Sequence, residues 1–255
     1  MEQNLTRIFT LFGGLALFLY GMDALSHSLE TAAGSRLKSL LAAVTGSPVR
    51  GVLAGAAVTA VLQSSSAVTV MVLGFVSTGL LTLRQAVPVI FGCNIGTTIT
   101  AQLLAFQLED VRGLVLLAGL LLCFALLQNF AARPGLDGSS LLGLAGALPV
   151  LLGDNIGTTI TAVLASLSAS RDAKRVAAAH AVFNLTGAAV FCAGLPLYVR
   201  LTAALSPKGP ELAVIARQIA NAHTLFNVVC TLVWLPLTPL MVRFVCRLVP
   251  DRAVR

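Results

Sequence analysis

Long apolar stretches separated by short polar connections make up most of the chain. Stretches without Asp, Glu, Lys or Arg cover residues 51–83, 85–108, 113–132, 176–199 and 218–242. Two more, at 8–25 and 138–170, contain one acid each. A helix needs about 20 apolar residues to cross a hydrocarbon core roughly 30 Å thick, and the period-two alternation of membrane β-strands is absent. The pattern predicts an all-α, polytopic membrane helical bundle.

The stretch at 51–83 is too long for one straight span, because at 1.5 Å per residue it would measure about 50 Å as a helix. Gln63-Ser64-Ser65-Ser66 lies near its middle, and we predict that the helix breaks there. Polar groups that are buried without partners cost several kcal/mol each. These side chains are therefore expected to meet one another, water or a ligand.

Composition and charge narrow the class of protein. Apolar residues make up 57% of the chain and charged residues 11%, whereas soluble domains carry roughly 25% charged residues. A soluble enzyme, a disulfide scaffold and a disordered chain are therefore excluded. The net charge of +7 does not indicate nucleic-acid binding, because the cations lie mainly in loops and in the tail. We predict a multi-pass protein of the cell inner (plasma) membrane, with the basic residues at 171–175 and in the tail beside cytoplasmic lipid headgroups.

An internal duplication organises the chain. Eight residues, Asn-Ile-Gly-Thr-Thr-Ile-Thr-Ala, occur at 94–101 and again, without change, at 155–162. A weaker echo, Ala-His-x-x-Phe-Asn, occurs at 179–184 and 222–227. Chance matches between apolar helices repeat Leu, Ala and Val rather than Asn, Gly and three Thr. Duplicated halves with Gly- or Pro-interrupted apolar segments are typical of secondary transporters, whose substrate sites lie where the repeats meet.

The polar residues suit an oxyanion and a hard cation. Pro88 and Gly92 stand just before the first copy, and Pro149 and Gly153 just before the second. We predict helix breaks there, which would present backbone N–H groups to an anion. Ser and Thr hydroxyls both accept and donate, so one cluster can bind an oxyanion and Na⁺. Because the clusters hold no Lys or Arg, a co-bound sodium ion is expected to neutralise the anion.

Histidine and asparagine recur at four-residue spacing in the weaker echo. His180 shares a helix face with Asn184, and His223 shares one with Asn227. We interpret these four as interhelical hydrogen-bond residues rather than ligands. For a single Ser or Thr, close helix packing is likewise the simpler interpretation.

Two acids and the cysteines complete the candidates within the apolar stretches. Asp154 replaces Cys93 of the first copy, and an intramembrane acid is a functional candidate by default. Asp23 fits a functional acid and a helix end near the interface equally well. The five cysteines lack metal-ligand spacing and are interpreted as small membrane-buried residues.

Gln63-Ser64-Ser65-Ser66-Ala67 and the two Asn-Ile-Gly-Thr-Thr segments resemble the bacterial members of the sodium–phosphate cotransporter family, which is related to the animal type II sodium-dependent phosphate cotransporters. The resemblance covers nearly the whole chain. It implies a symporter rather than an enzyme, with inverted repeats that bring two Gln-Ser-Ser-Ser hairpins to one site for inorganic phosphate and sodium. It implies no cofactor beyond sodium as coupling ion.

Carried onto this sequence, the resemblance implies two ligand sets. The phosphate-binding set is Gln63, Ser64, Ser65, Ser66, Asn94, Thr97, Thr98, Asn155, Thr158 and Thr159. The sodium set is Gln63, Ser65, Ser66 and Thr69.

The second repeat departs from the family pattern. No second Gln-Ser-Ser-Ser occurs, and the Asn-Ile-Gly-Thr-Thr copies are 61 residues apart, too close for a full repeat between them. We infer an internal deletion. One membrane transport domain at 1–255 then divides into a first repeat at 8–108 with the Gln-Ser-Ser-Ser hairpin, a shortened second-repeat core at 109–170 and C-terminal helices at 171–255.

Three alternatives stay open at this point. A homodimer could supply the missing hairpin in trans, and the chain could instead be a non-transporting remnant. An intramembrane serine hydrolase could pair Ser64 with His180 or His223, although the Gly-x-Ser-x-Gly elbow is absent.

Overall fold

The computed structural model describes residues 35–106 and 143–251, together with positions 13, 14, 20, 21 and 24. Within these residues the secondary structure is helical throughout and contains no strand, which confirms the predicted class. The longer helices are, in chain order, α1 (Ser35–Val44), α2 (Pro48–Leu62), α3 (Ser65–Ser77), α4 (Leu83–Phe106), α5 (Leu144–Gly157), α6 (Thr159–Ser166), α7 (Arg171–Ala193), α8 (Leu195–Ala204), α9 (Glu211–Trp234) and α10 (Thr238–Leu248).

Several helices have the length and composition of membrane spans. Among the described residues these are Leu144–Ser166 and Arg171–Ala193, and a third candidate is the bent pair Val214–Trp234 and Thr238–Leu248. That pair turns by 87°, so the apolar stretch at 218–242 is not one straight helix. The turn coincides with Pro236, which has no backbone N–H to continue the helical hydrogen bonds. The chain is a membrane helical bundle.

Helices α2 and α3 form a hairpin whose tip is the Gln-Ser-Ser-Ser motif. Gln63 ends α2 in the left-handed conformation, with φ 55° and ψ 24°, and its N–H donates to the Thr59 carbonyl. Ser64 is extended and caps α3, because its side chain accepts a hydrogen bond from the Ala67 N–H. This confirms the break that the sequence predicts.

Glycines bring α2 into direct backbone contact with α4. A Cβ at Gly55 would overlap the Val89 carbonyl, and a Cβ at Gly92 would overlap the Val52 carbonyl. Small residues at four-residue spacing allow this approach between membrane helices. Gly51 of α2 lies beside Pro88 of α4. Eight residues later in both helices, Thr59 of α2 lies beside Gly96 of α4. The two helices therefore run parallel.

The prediction of a helix break before the first Asn-Ile-Gly-Thr-Thr segment is wrong. Helix α4 continues through Pro88 and Gly92, since membrane helices tolerate proline when neighbours satisfy the freed groups. The glycine serves close packing instead. In the second copy, α5 continues through Pro149 to Gly157, and the interruption falls at Thr158, inside the motif rather than before it.

The two copies of the motif run in opposite directions. The N–H of Ser170, at the start of α7, donates to Ser77 Oγ (3.2 Å). Ser77 is the last residue of α3, and α4 begins six residues later at Leu83. Nine residues into α7, His180 Nε2 lies 3.1 Å from Asn94 Oδ1, so α4 and α7 are parallel. Helices α5 and α6 enter α7 through the short connection 167–170 and run the other way. The repeat is inverted, as the family resemblance implies.

The basic end of α7 is tied to the end of α10. The Arg175 guanidinium lies 2.8 Å from carboxylate oxygens of both Asp172 and Asp251, and its Nε donates to the Val249 carbonyl. Arg171 donates to the Pro250 carbonyl. Residues 171–175 and the beginning of the tail therefore lie at the same end of the bundle, in agreement with the charge pattern.

Candidate functional site

The hairpin tip presents the N-terminus of α3. Val68 N–H donates to the Ser64 carbonyl and Ala67 N–H to its side chain, so the N–H groups of Ser65 and Ser66 precede the first intrahelical hydrogen bonds. Ser64, Ser65 and Ser66 are half-buried. A helix N-terminus with free N–H groups favours an anion. The three serines therefore combine hydroxyl and backbone donors at one position.

Gln63 is exposed at the same tip. Its side-chain nitrogen donates to the Ala60 carbonyl, which turns the amide back onto α2 and leaves the amide oxygen as an acceptor. Thr69 lies one turn into α3 from Ser65, is buried, and its Oγ1 has no hydrogen-bond partner. The members of the predicted sodium set thus offer neutral oxygens, which suit a hard cation.

One contact joins the hairpin to the second copy of the repeat. The hydroxyl oxygens of Ser66 and Thr161 are 3.3 Å apart, and Thr161 also donates to the Thr158 carbonyl. Thr161 is absent from the predicted set, although it belongs to the identical eight residues at 155–162. That identity is the signal by which the sequence could have identified it.

Replacing Thr161 by Val is expected to act through Ser66. An interhelical hydrogen bond inside a membrane protein contributes about 0.6 kcal/mol on average. A double-mutant cycle of Thr161→Val with Ser66→Ala, measured by unfolding in detergent, should give a coupling free energy of about this size. Strictly additive effects would show that the two hydroxyls do not interact.

The weaker echo supplies a partner for the asparagine of each copy. His180 Nε2 lies 3.1 Å from Asn94 Oδ1, and His223 Nε2 lies 3.1 Å from Asn155 Oδ1. All four side chains are buried. The two pairs are related by the duplication, and they confirm the interpretation of both histidines as interhelical hydrogen-bond residues.

Several known proteins are similar to this chain. A family model described as Na+/Pi-cotransporter matches residues 17–135. The uncharacterized protein YqeW of Bacillus subtilis (strain 168) is 30% identical over 264 aligned positions, which cover 78% of this chain and 85% of that protein. The chain belongs to the Na+/Pi-cotransporter family.

Other matches cover a smaller part of this chain. Human sodium-dependent phosphate transport protein 2B is 36% identical over 107 residues, 41% of this chain and 16% of the human protein. The putative inorganic phosphate export protein YjbB of Escherichia coli O157:H7 is 28% identical over 134 residues, 52% of this chain and 25% of that protein. No solved structure matches the chain.

In this family member the predicted threonines use their hydroxyl protons within their own helices. Each donates to a carbonyl three or four residues earlier, as found for Thr97, Thr98, Thr158 and Thr159. Their oxygens keep acceptor capacity, which suits a cation better than an oxyanion. In the described part of the chain, hydrogen bonds do not link these threonines to Ser64, Ser65 or Ser66.

Asn94 and Asn155 both have protein partners. Asn155 Oδ1 faces both His223 and Asn227, and its Nδ2 donates to the Leu151 carbonyl. Asn94 Oδ1 faces His180, while its Nδ2 is buried without a partner. The two asparagines therefore position α7, α9 and the repeats relative to one another.

A further polar cluster, which the sequence reasoning missed, lies between α4 and α9. Gln102 Nε2 donates to Asn221 Oδ1 (2.9 Å) and to Thr224 Oγ1 (3.0 Å), and Arg217 donates to Gln102 Oε1. Gln102 is eight residues after Asn94, so both occupy one face of α4. That spacing is the signal in the sequence.

The geometry does not assemble a serine–histidine dyad in the described residues. Ser64 Oγ accepts the Ala67 N–H, and the Nε2 atoms of His180 and His223 both face asparagine oxygens. The described residues also contain no group of three His, Cys, Asp or Glu side chains that could hold a metal ion.

Proposed function

We propose that the chain moves inorganic phosphate across the cell inner membrane together with sodium ions. The observation that carries the proposal is the N-terminus of α3 at the half-buried hairpin tip, where Ser65 and Ser66 offer hydroxyl and backbone donors. Membership of the Na+/Pi-cotransporter family supports it. Relatives named as phosphate transport proteins support the choice of phosphate.

In the proposed site, phosphate accepts hydrogen bonds from the three serine side chains and the first N–H groups of α3. Sodium binds the neutral oxygens of Gln63, Ser65, Ser66 and Thr69. The tip carries no cationic side chain, so bound sodium compensates the phosphate charge. Coupling follows because each ion binds more tightly when the other is present.

The shortened second repeat is part of the proposal. The alignment with the B. subtilis protein has 264 positions but covers 78% of the 255 residues of this chain, which is about 199 residues. About 65 aligned positions therefore have no residue of this chain, as an internal deletion requires. One Gln-Ser-Ser-Ser hairpin, together with Thr161 of the second copy, would then form the site.

Uptake of labelled phosphate into proteoliposomes tests the proposal. We expect uptake to require an inward sodium gradient and to fail when potassium replaces sodium. Ser65→Ala removes a hydrogen bond to a charged ligand, worth about 1.5–3 kcal/mol, so phosphate affinity should fall about 10- to 100-fold. Ser168→Ala, at an exposed serine between α6 and α7, is the matched control and should leave uptake nearly unchanged.

Either of two results would overturn the mechanism. Phosphate transport that does not depend on sodium would show that the two ions are not coupled. An unchanged phosphate affinity of the Ser65→Ala variant would show that the hairpin tip does not bind phosphate. Because one relative is named an export protein, vesicles loaded with phosphate inside should be assayed beside empty ones.

A further inference from the structure

A cavity at one end of the bundle is lined by two cationic side chains. It has a volume of about 550 Å³ and lies between the start of α7, where Arg171 and Lys174 line it, and residues 248–250 at the end of α10. Ligand pockets typically have volumes of about 300–1,000 Å³. Ala169 and Ser170 complete the lining, which contains no acid among the described residues. The cavity therefore suits an anionic group.

The two acids at this end of the bundle are bound by a different arginine. Asp172 and Asp251 each place a carboxylate oxygen 2.8 Å from the Arg175 guanidinium. Arg175 is buried, whereas Arg171 and Lys174 are half-buried and reach the cavity. A ligand in the cavity would therefore meet the positive charges of Arg171 and Lys174.

The cavity lies at a surface of the membrane. Leu144–Ser166 and Arg171–Ala193 both have the length and composition of membrane spans, and residues 167–170 connect them. A connection between two consecutive spans lies at the level of the lipid headgroups. The charge pattern predicts that this end of the bundle faces the cytoplasm, and the cytoplasmic leaflet carries anionic lipids.

Helix α10 runs along α7 toward this cavity. Before α10 begins, the ring nitrogen of Trp234 donates to Thr186 Oγ1 (3.1 Å). After α10 ends, the Val249 carbonyl accepts a hydrogen bond from Arg175 Nε (2.9 Å). Thr186 and Arg175 are 11 residues apart in α7, and α10 itself contains 11 residues. Because both helices rise equally per residue, α10 lies beside the span α7 over its whole length.

One face of α10 forms an exposed apolar stripe. Leu240, Phe244 and Leu248 follow one another at four-residue spacing and are all exposed, so they share this face. Met241 and Val245, each one position farther along, are buried. Leu248 also lines the cavity, so the stripe begins there and extends along the span. A cationic cavity that continues into an apolar stripe matches the two parts of a phospholipid.

We propose that this cavity and the stripe of α10 bind an anionic phospholipid. The lipid phosphate lies between Arg171 and Lys174, and one acyl chain lies along Leu240, Phe244 and Leu248. The bound lipid then joins the start of α7 to the end of α10. This proposal does not depend on phosphate transport, since it concerns a lipid at the membrane surface rather than a ligand at the hairpin tip.

Thermal unfolding of the full chain in detergent, with lipid added in steps, tests the site. Phosphatidylglycerol should raise the Tm to a plateau, because a ligand that binds only the folded state stabilises it. Phosphatidylcholine with the same acyl chains has no net charge and should raise the Tm much less. Glycerol phosphate carries the anion without acyl chains and should leave the Tm unchanged at the same concentration.

Three results of this titration would overturn the proposal. Absence of any rise with phosphatidylglycerol would show that the lipid does not bind. An equal rise with phosphatidylcholine would show that the cations do not select the headgroup. An equal rise with glycerol phosphate would assign the effect to a soluble anion rather than to a lipid.

Charge variants with a matched control locate the headgroup. A basic residue near an anionic lipid contributes about a fivefold change in affinity. Lys174→Gln should therefore raise the phosphatidylglycerol concentration that gives half of the Tm rise about fivefold, and Arg171→Gln with Lys174→Gln about 30-fold. Lys208→Gln, at an exposed lysine between α8 and α9, makes the same charge change and should have no effect. Equal weakening by Lys208→Gln and Lys174→Gln would indicate diffuse attraction and overturn the proposal.

A second pair of variants tests the stripe and leaves every charge in place. Leu240→Ala removes apolar surface from the far end of the stripe, and Leu53→Ala removes the same group from an exposed position on α2. Leu240→Ala should weaken phosphatidylglycerol binding about fivefold, whereas Leu53→Ala should leave it unchanged. Equal lipid affinities of the two leucine variants would show that the acyl chain does not lie on α10, and the proposal would be wrong.

Discussion

Replacing Gly92 by alanine is expected to disturb the packing of α2 on α4 and to lower the melting temperature of the protein substantially. The new Cβ would overlap the Val52 carbonyl and approach the Ala56 backbone nitrogen to 2.9 Å. Backbone atoms cannot rotate away, so the helices must separate along the whole contact. Overpacking of this kind costs about 1–3 kcal/mol and occasionally more, and contact with rigid backbone places Gly92 at the upper end.

Thermal unfolding in detergent, followed by size-exclusion chromatography, measures the effect of Gly92→Ala. A loss of about 3 kcal/mol corresponds to a fall in Tm of roughly 6–12 °C in a chain of this size. Gly194→Ala is the control, because a Cβ there would lie 3.4 Å from the Val190 carbonyl, an ordinary contact. Equal melting temperatures for the two variants would show that α2 and α4 do not meet through their glycines.

Asn155→Leu is expected to lower the free energy of unfolding more than Asn94→Leu, the equivalent substitution in the first copy. Asn155 Oδ1 faces His223 Nε2 and accepts a hydrogen bond from Asn227 Nδ2, so leucine leaves the buried His223 nitrogen without its partner and leaves Asn227 Nδ2 with the His223 carbonyl alone. Each unsatisfied donor costs about 1–3 kcal/mol. Asn94→Leu is the matched variant in the other copy, where Oδ1 faces His180 alone.

Unfolding in detergent with increasing denaturant compares the two asparagines. We expect a loss of about 2–4 kcal/mol for Asn155→Leu and about half as much for Asn94→Leu. The order of the two variants is the critical result. A greater loss for Asn94→Leu would contradict the hydrogen bonds that join α5 to α9.

The parts of the fold that the sequence predicts are those set by local physics. Gln63 and the three serines interrupt a long apolar stretch with polar side chains, so their position correctly indicated the helix break at the hairpin tip. The exact repeat at 155–162 indicated a duplicated partner for α4, and only the family resemblance implied that the partner is inverted. The break expected at Pro88 and Gly92 was wrong because a glycine that permits a turn also permits close packing, and only the position of α2 decides between these roles.

The candidate site was harder to predict because its contacts join distant segments. The pairing of His180 with Asn94, and of His223 with Asn155, depends on how α7 and α9 cross the repeats. Spacing within one helix identifies a shared face but not the residue opposite it. Thr161 was missed for the same reason, since its partner Ser66 lies 95 positions earlier in the chain. The roles of the predicted ligands stay predictions.

The short arms of the hairpin have a consequence for biosynthesis. Helices α2 and α3 contain 15 and 13 residues, fewer than the roughly 20 that a membrane crossing needs. Neither arm can settle in the bilayer alone, and the glycine contacts that hold α2 come from α4, which the ribosome makes later. We therefore expect the stable position of the hairpin in the bilayer to depend on α4, which follows it in the chain.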